Sequence, residues 1–158
     1  WSWGRGTYGM LGHGDEQIQS LPMRIGALAG QRVVAVSASL LHSLALTANG
    51  DVWSWGRGGQ GLLGHGDQQR QPLPKKVEAL AGQRVVAVSA GGDHSLAITA
   101  GGAVWSWGGG DEGKLGHGDV QNQLLPKKIE AFAGRRVVAV SAGWMHSLAL
   151  SADGAVWS

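Results

Sequence analysis

Six histidines stand in two registers, and each register suggests chemistry. His13, His65 and His117 lie in copies of Gly-His-Gly-Asp, with Asp15, Asp67 and Asp119 two residues on. A histidine and a carboxylate at that spacing suggest metal ligation or an acid–base pair. Zinc needs three or four such ligands converging at about 2.0–2.3 Å. His42, His94 and His146 each precede a serine, which raises the question of a nucleophile beside its base. A third pattern, Gly-x-Gly-x-x-Gly, starts at Gly4, Gly56 and Gly108 and has the spacing of a dinucleotide-binding turn.

Each pattern also has a structural reading, and the spacing favours it. The three Gly-His-Gly-Asp copies belong to successive structural units, so their histidines should not meet. An Asp after Gly commonly binds nearby backbone amides in a turn, and the histidine is expected to tether neighbouring strands. Adjacent residues of a strand point to opposite faces, so His-Ser is not a nucleophile–base pair, and no third orienting group recurs with it. The glycine-rich segments run into Leu-Gly-His-Gly-Asp or its near copies rather than into a helix whose N-terminus could hold a pyrophosphate. Their glycines are expected at positive-φ turn positions. The sequence thus assigns no catalytic residue, no cofactor and no metal.

The elements that must position these residues follow from one period. Trp1, Trp53, Trp105 and Trp157 recur every 52 residues, and a period of this size signals a solenoid, a propeller or an array. In the second repeat, Val52–Trp55 alternates large apolar with small polar residues, as a strand does. Gly56–Gly61 and the corner at Leu62–Asp67 are turns. Pro72–Val77 is extended, because proline and the residue before it disfavour helix. Glu78–Gly82 has room for one short helical turn. Arg84–Ser89 is β-branched and reads as a strand, His94–Thr99 as the next, and Ala100–Ala103 as a hairpin connection. Four short antiparallel strands per period predict an all-β fold of β-propeller blades. Trp3, Trp55 and Trp107 recur at a core position and are expected to pack between blades.

Composition agrees. The 158 residues hold 28 Gly and 8 Trp but one Phe, one Tyr and no Cys, with a formal charge of +2. Disulfides and thiolate metal sites are excluded, and the small charge argues against nucleic acid as the main partner. No apolar run approaches a membrane span and no leader precedes the repeats, so no membrane association and a cytoplasmic or nuclear location are the expectations.

The combined phrases at Ser89–Ala97, Gly102–Gly108, Leu115–Asp119 and Leu125–Pro126 closely resemble the regulator of chromosome condensation repeat. The resemblance covers the whole chain and implies a β-propeller, seven-bladed in the best-known members. The chain divides into repeats 1–52, 53–104 and 105–156 plus the start of a fourth, with no second domain. Three blades are fewer than the four to eight of typical rings. The chain is read as consecutive blades of a larger propeller, with half of a six-bladed ring closed by self-association of two copies as the alternative.

Function is expected where the repeats differ. The loops before the second histidine contain Leu40-Leu41, Asp93 and Trp144-Met145, and the glycine-rich corners contain Tyr8, Gln60 and Asp111-Glu112. These residues are the candidates for binding a protein partner, since large apolar groups at loop tips often mark such sites. Two rows of cations, at Arg24, Lys75-Lys76 and Lys127-Lys128 and at Arg32, Arg84 and Arg136, read as a solvated face. The resemblance implies three roles. A non-catalytic interaction platform requires nothing the sequence lacks and is preferred. Guanine nucleotide exchange on a small GTPase uses an inserted wedge, which repeats of equal length do not contain. Ultraviolet-B sensing uses Gly-Trp-Arg-His-Thr motifs, which only Gly143–Ser147 approaches; Leu40 and Gly92 stand at the other aromatic positions.

Overall fold

The computed structural model describes residues 1–158 and contains thirteen strands, six short 3₁₀ turns and no α-helix. β1 (Ser2–Gly4) and β2 (Gln19–Met23) form a two-stranded sheet. β3 (Val33–Ala38), β4 (His42–Thr47), β5 (Val52–Gly56) and β6 (Gln71–Lys76) form a four-stranded sheet in sequential order. β7 (Val85–Ala90), β8 (His94–Thr99), β9 (Val104–Gly108) and β10 (Gln123–Lys128) repeat it. β11 (Val137–Ala142), β12 (Ser147–Ser151) and β13 (Val156–Trp157) form a three-stranded sheet. All pairings are antiparallel. These are propeller blades.

The sheets cut the 52-residue period at Val33, Val85 and Val137, whereas the tryptophan phase cuts it inside a sheet. The chain therefore carries two complete blades, 33–76 and 85–128, flanked by sheets of two and three strands. Val-Val-Ala-Val-Ser opens each blade, with a register shift at the same place in all three copies, for example between Val33 and Ala35. Glu78–Leu80 forms the expected short turn, and Gly82 ends it at φ +78°.

Blades pack by their first strands. β3 lies beside β7 and β7 beside β11, with the Ala90 amide donating to Ser37 Oγ and the Ala142 amide to Ser89 Oγ, both at 3.0 Å. These strands form the inner edge of the fan. The second strand of each complete blade is covered on both sides, so every residue of His94–Thr99 is buried in spite of its polar–apolar alternation. The core sits between blades. Leu44, Leu46 and Val52 of one blade meet Val85, Ala97 and Trp107 of the next, while Ile98 and Val104 meet Val137 and Ala149.

Antiparallel order gives the fan two ends. One carries the connections 5–18, 39–41, 57–70, 91–93, 109–122 and 143–146. The other carries 24–32, 48–51, 77–84, 100–103, 129–136 and 152–155.

Candidate functional site

The two histidine registers make two different ladders. His42 Nε2 lies 2.8 Å from Ser95 Oγ, and His94 Nε2 lies 2.8 Å from Ser147 Oγ, each in the following blade. Ser95 Oγ donates to Leu62 O (3.0 Å) and Ser147 Oγ to Lys114 O (2.7 Å). Each hydroxyl has one proton, so it accepts from the histidine, which carries its own proton on Nε2. Ser39 Oγ, 2.9 Å from His42 Nδ1, completes that ring's bonding. Gly91 replaces Ser39 in the next repeat, and His94 Nδ1 has no partner. Burial pushes His42 down to about 3, helped by His94. Burial, then Lys114 and His146, pushes His94 down to about 4.

The second ladder stays within a blade. Ser2, Ser54 and Ser106 lie 2.9, 3.0 and 3.0 Å from Nε2 of His13, His65 and His117, and each hydroxyl donates to a leucine carbonyl, Leu11, Leu63 or Leu115. Burial, with Lys75, lowers His65 to about 4 against the opposing pull of Asp67. Burial, with Lys127, lowers His117. Asp15, Asp67 and Asp119 accept from the amides of Gln17, Gln69 and Gln121 at 2.9–3.0 Å, closing a turn in each repeat. In both ladders serine accepts from histidine, the reverse of the polarity by which a base activates a nucleophile. No group of three or more His, Cys, Asp or Glu side chains is placed to hold a metal ion.

Trp55 and Trp107 are buried between blades. Trp55 Nε1 donates to Met10 O at 2.9 Å, and a Cβ added at Gly12 or Gly64 would lie 2.9 Å from the ring nitrogen of the tryptophan in the following blade. Trp3 is 60% exposed, because β1 pairs only with β2 and nothing covers its ring. The last glycine of each Gly-x-Gly-x-x-Gly segment closes a 3₁₀ turn of three residues. That turn packs against the third and fourth strands of the following blade in the first two repeats.

All the variable-loop candidates fall at one end of the fan. Leu40 (58% exposed), Trp144 (56%) and Met145 (48%) stand at the tips of the first loop, with Leu41 and Asp93 half-buried beside them. Tyr8, Gln60 and Glu112 occupy one equivalent position in the glycine-rich corners, and all three have left-handed backbone at φ 59–61°. No other non-glycine residue does. Such residues cost about 1–3 kcal/mol each and persist where the surroundings over-determine them. Gln60 Nε2 reaches Asp111 Oδ2 at 3.4 Å, and Arg57 pairs with Asp93 at 3.9 Å, both across the blade boundary.

Two features escaped the sequence reading. Arg57 ties its corner to the Asp93 loop; its position is filled by Arg5 and Gly109 in the other repeats. Lys114 is 5% exposed and gives its ammonium only to Asp111 O (3.2 Å). The signal for Lys114 was present, since Met10 and Leu62 fill the same place in the other repeats.

The model of the regulator of chromosome condensation repeat matches residues 1–46, 49–98 and 101–150. The human E3 ubiquitin-protein ligase HERC2 is 42% identical over 160 residues, spanning the whole chain but 3% of the ligase. The Arabidopsis thaliana ultraviolet-B receptor UVR8 is 42% identical over 97% of the chain and 35% of the receptor. The crystal structure of human WBSCR16 superposes with a TM-score of 0.79 at 29% identity, over 96% of this chain and 39% of that one. The chain thus spans between 3% and 39% of the length of these proteins. With the family pattern matched three times over and blades of the same fold, the chain belongs to the regulator of chromosome condensation repeat family.

Proposed function

We propose that this chain serves a non-catalytic interaction platform that binds a protein partner through the variable loops at one end of its blades. The observation that supports it is the convergence of Leu40, Trp144 and Met145, all exposed, with the three left-handed corner residues Tyr8, Gln60 and Glu112 at the same end. Positions that recur in all three repeats are spent on the frame, the His-Ser ladder and the buried tryptophans between blades and the second histidine ladder within each blade. The positions that differ between repeats are free to carry specificity. Exposed tryptophan and methionine are enriched at interface centres, where burying an aromatic anchor supplies much of the affinity.

The test is site-specific photo-crosslinking in cells from position 144 and, in parallel, from position 84 at the opposite end. A defined protein trapped from 144, whose purified form binds the full chain at least about tenfold more weakly after Trp144→Ala, supports the reading. Equal binding by Trp144→Ala and Leu40→Ala variants counts against it. Should the trapped protein be a small GTPase, its nucleotide release in the presence of the chain separates exchange from passive binding. An ultraviolet-B role is less favoured, because Leu40 and Gly92 stand where that arrangement needs aromatic residues beside Trp144.

A further inference from the structure

Charge is segregated between the two ends of the fan. Only four of the 13 Lys and Arg residues (Arg5, Arg57, Arg70 and Lys114) belong to the end that carries the variable loops; seven belong to the opposite end, and Lys75 and Lys127 stand mid-blade beside His65 and His117. Only four of the 11 Asp and Glu residues (Asp51, Glu78, Glu130 and Asp153) stand at that opposite end, and the other seven are with the variable loops. The two ends therefore carry formal charges of −3 and +3, and the two mid-blade lysines bring the whole chain to +2.

The cationic end is ordered as well as charged. Lys76 is held by Asp51 at 2.9 Å, Lys128 by Glu130 at 3.8 Å, and Arg135 lies over the Trp157 ring at 4.5 Å. Arg24, Arg32, Lys75, Arg84, Lys127 and Arg136 are exposed and have no ion-pair partner. Their backbones are fixed. The carbonyls of Arg32, Arg84 and Arg136 each accept from the amide of Ala48, Ala100 or Ala152 at 2.8 Å. Arg84 also packs on the Gly50 hairpin of the preceding blade, and Arg136 on that of Gly102. Lys75 and Lys127 sit in register opposite Ser54 and Ser106. Each complete blade thus presents one unpaired arginine at a fixed point before its first strand, with an unpaired lysine farther up its fourth strand.

We propose that this end is a second docking surface, distinct from the variable-loop end, and that its occupant is an acidic, Asp/Glu-rich segment of a partner protein. Guanidinium groups on a rigid frame match carboxylates bidentately, so ordering costs little on binding. Nucleic acid fits less well. Trp53, Trp105 and Phe132 are half-buried, Arg135 covers Trp157, and only Trp1 is open, so this end lacks the row of free rings that base stacking uses.

The test measures fluorescence anisotropy of a labelled peptide of alternating glutamate and serine with the full chain, against a lysine–serine peptide and a single-stranded oligonucleotide of equal length. Binding of the acidic peptide alone is expected, weakening as salt rises, and weakening at least about tenfold in the Arg32→Glu/Arg84→Glu/Arg136→Glu variant. The single Arg84→Glu variant, altered at one exposed side chain, guards against loss of fold and should show a smaller loss in the same direction. Asp111→Lys/Glu112→Lys at the other end should change affinity by less than about twofold. Absence of acidic-peptide binding, insensitivity to the arginine reversals, or tighter binding of the oligonucleotide overturns the proposal, and none of these results bears on the variable-loop reading.

Discussion

His42 and Ser95 are 53 residues apart in the chain and 2.8 Å apart in the fold. The hydroxyl that receives the His42 proton follows His94, so the His94-Ser95 dipeptide serves two blade boundaries. Its serine accepts from the histidine of the blade before, and its histidine donates to the serine of the blade after. Removing Ser95 Oγ would leave His42 Nε2–H buried without an acceptor and Leu62 O without that donor. Ser95→Ala should therefore destabilise the chain by about 2–6 kcal/mol, at one to three per orphaned group, as measured by urea unfolding.

The same ladder predicts a pH dependence with a definite sign. His42 and His94 titrate at about 3 and about 4 in the folded chain, below the ordinary histidine value near 6.5. Between those values the unfolded chain binds protons that the folded one refuses. Stability is thus complete above about pH 7 and falls as pH drops from about 6.5 towards 4, approaching a slope of about 1.4 kcal/mol per pH unit for each histidine. Urea midpoints measured across that window should fall steadily with acid; a flat profile would refute neutral burial.

Trp107 is fully buried between two complete blades. Trp107→Ala should cost about 3–5 kcal/mol, as chemical denaturation will show.

Lys114 replaces an apolar residue in a buried place. Lys114→Met restores what the first repeat has at Met10 and frees a chain position from a desolvated ammonium, so stability should rise by about 1 kcal/mol. Because Lys114 is among the groups that depress His94, the His94 titration should move upward in the same variant. Melting curves and imidazole proton shifts report the two effects separately.

The glycine-rich corners allow one more contrast. Gln60 holds a left-handed backbone at φ 59°, so Gln60→Gly should stabilise by up to about 1 kcal/mol. Gly61 is left-handed too, but an added Cβ would lie 2.6 Å from Leu124 Cα in the next blade. Gly61→Ala should destabilise by at least about 2 kcal/mol. Thermal unfolding distinguishes the opposite signs.

Much of this fold was legible in the chain. The β-branched run Val85–Ala90, the alternation at Val104–Trp107 and the prolines of Gln71–Lys76 dictate extended backbone from their own side chains, and the structure places strands there. The Gly82 stop and the Asp67 turn are equally local. Among the candidate contact residues, Leu40, Trp144 and Met145 could be listed from repeat-to-repeat variation, but their gathering at one end with Tyr8, Gln60 and Glu112 required strand directions. The backbone strain at those corners left no mark in residue type, since Tyr, Gln and Glu are not residues that favour positive φ.

By itself, then, the sequence determined the period, the strand order within it and the family, because each rests on side-chain chemistry and spacing within about one repeat. Tertiary structure alone decided where the period is cut into sheets, which serine serves His42, and how cations and anions separate to opposite ends. The physical reason is common to all three. Each depends on how one blade stacks on the next, and that stacking is set by the summed packing of Leu44, Val85, Trp107 and their neighbours rather than by any local stretch of chain.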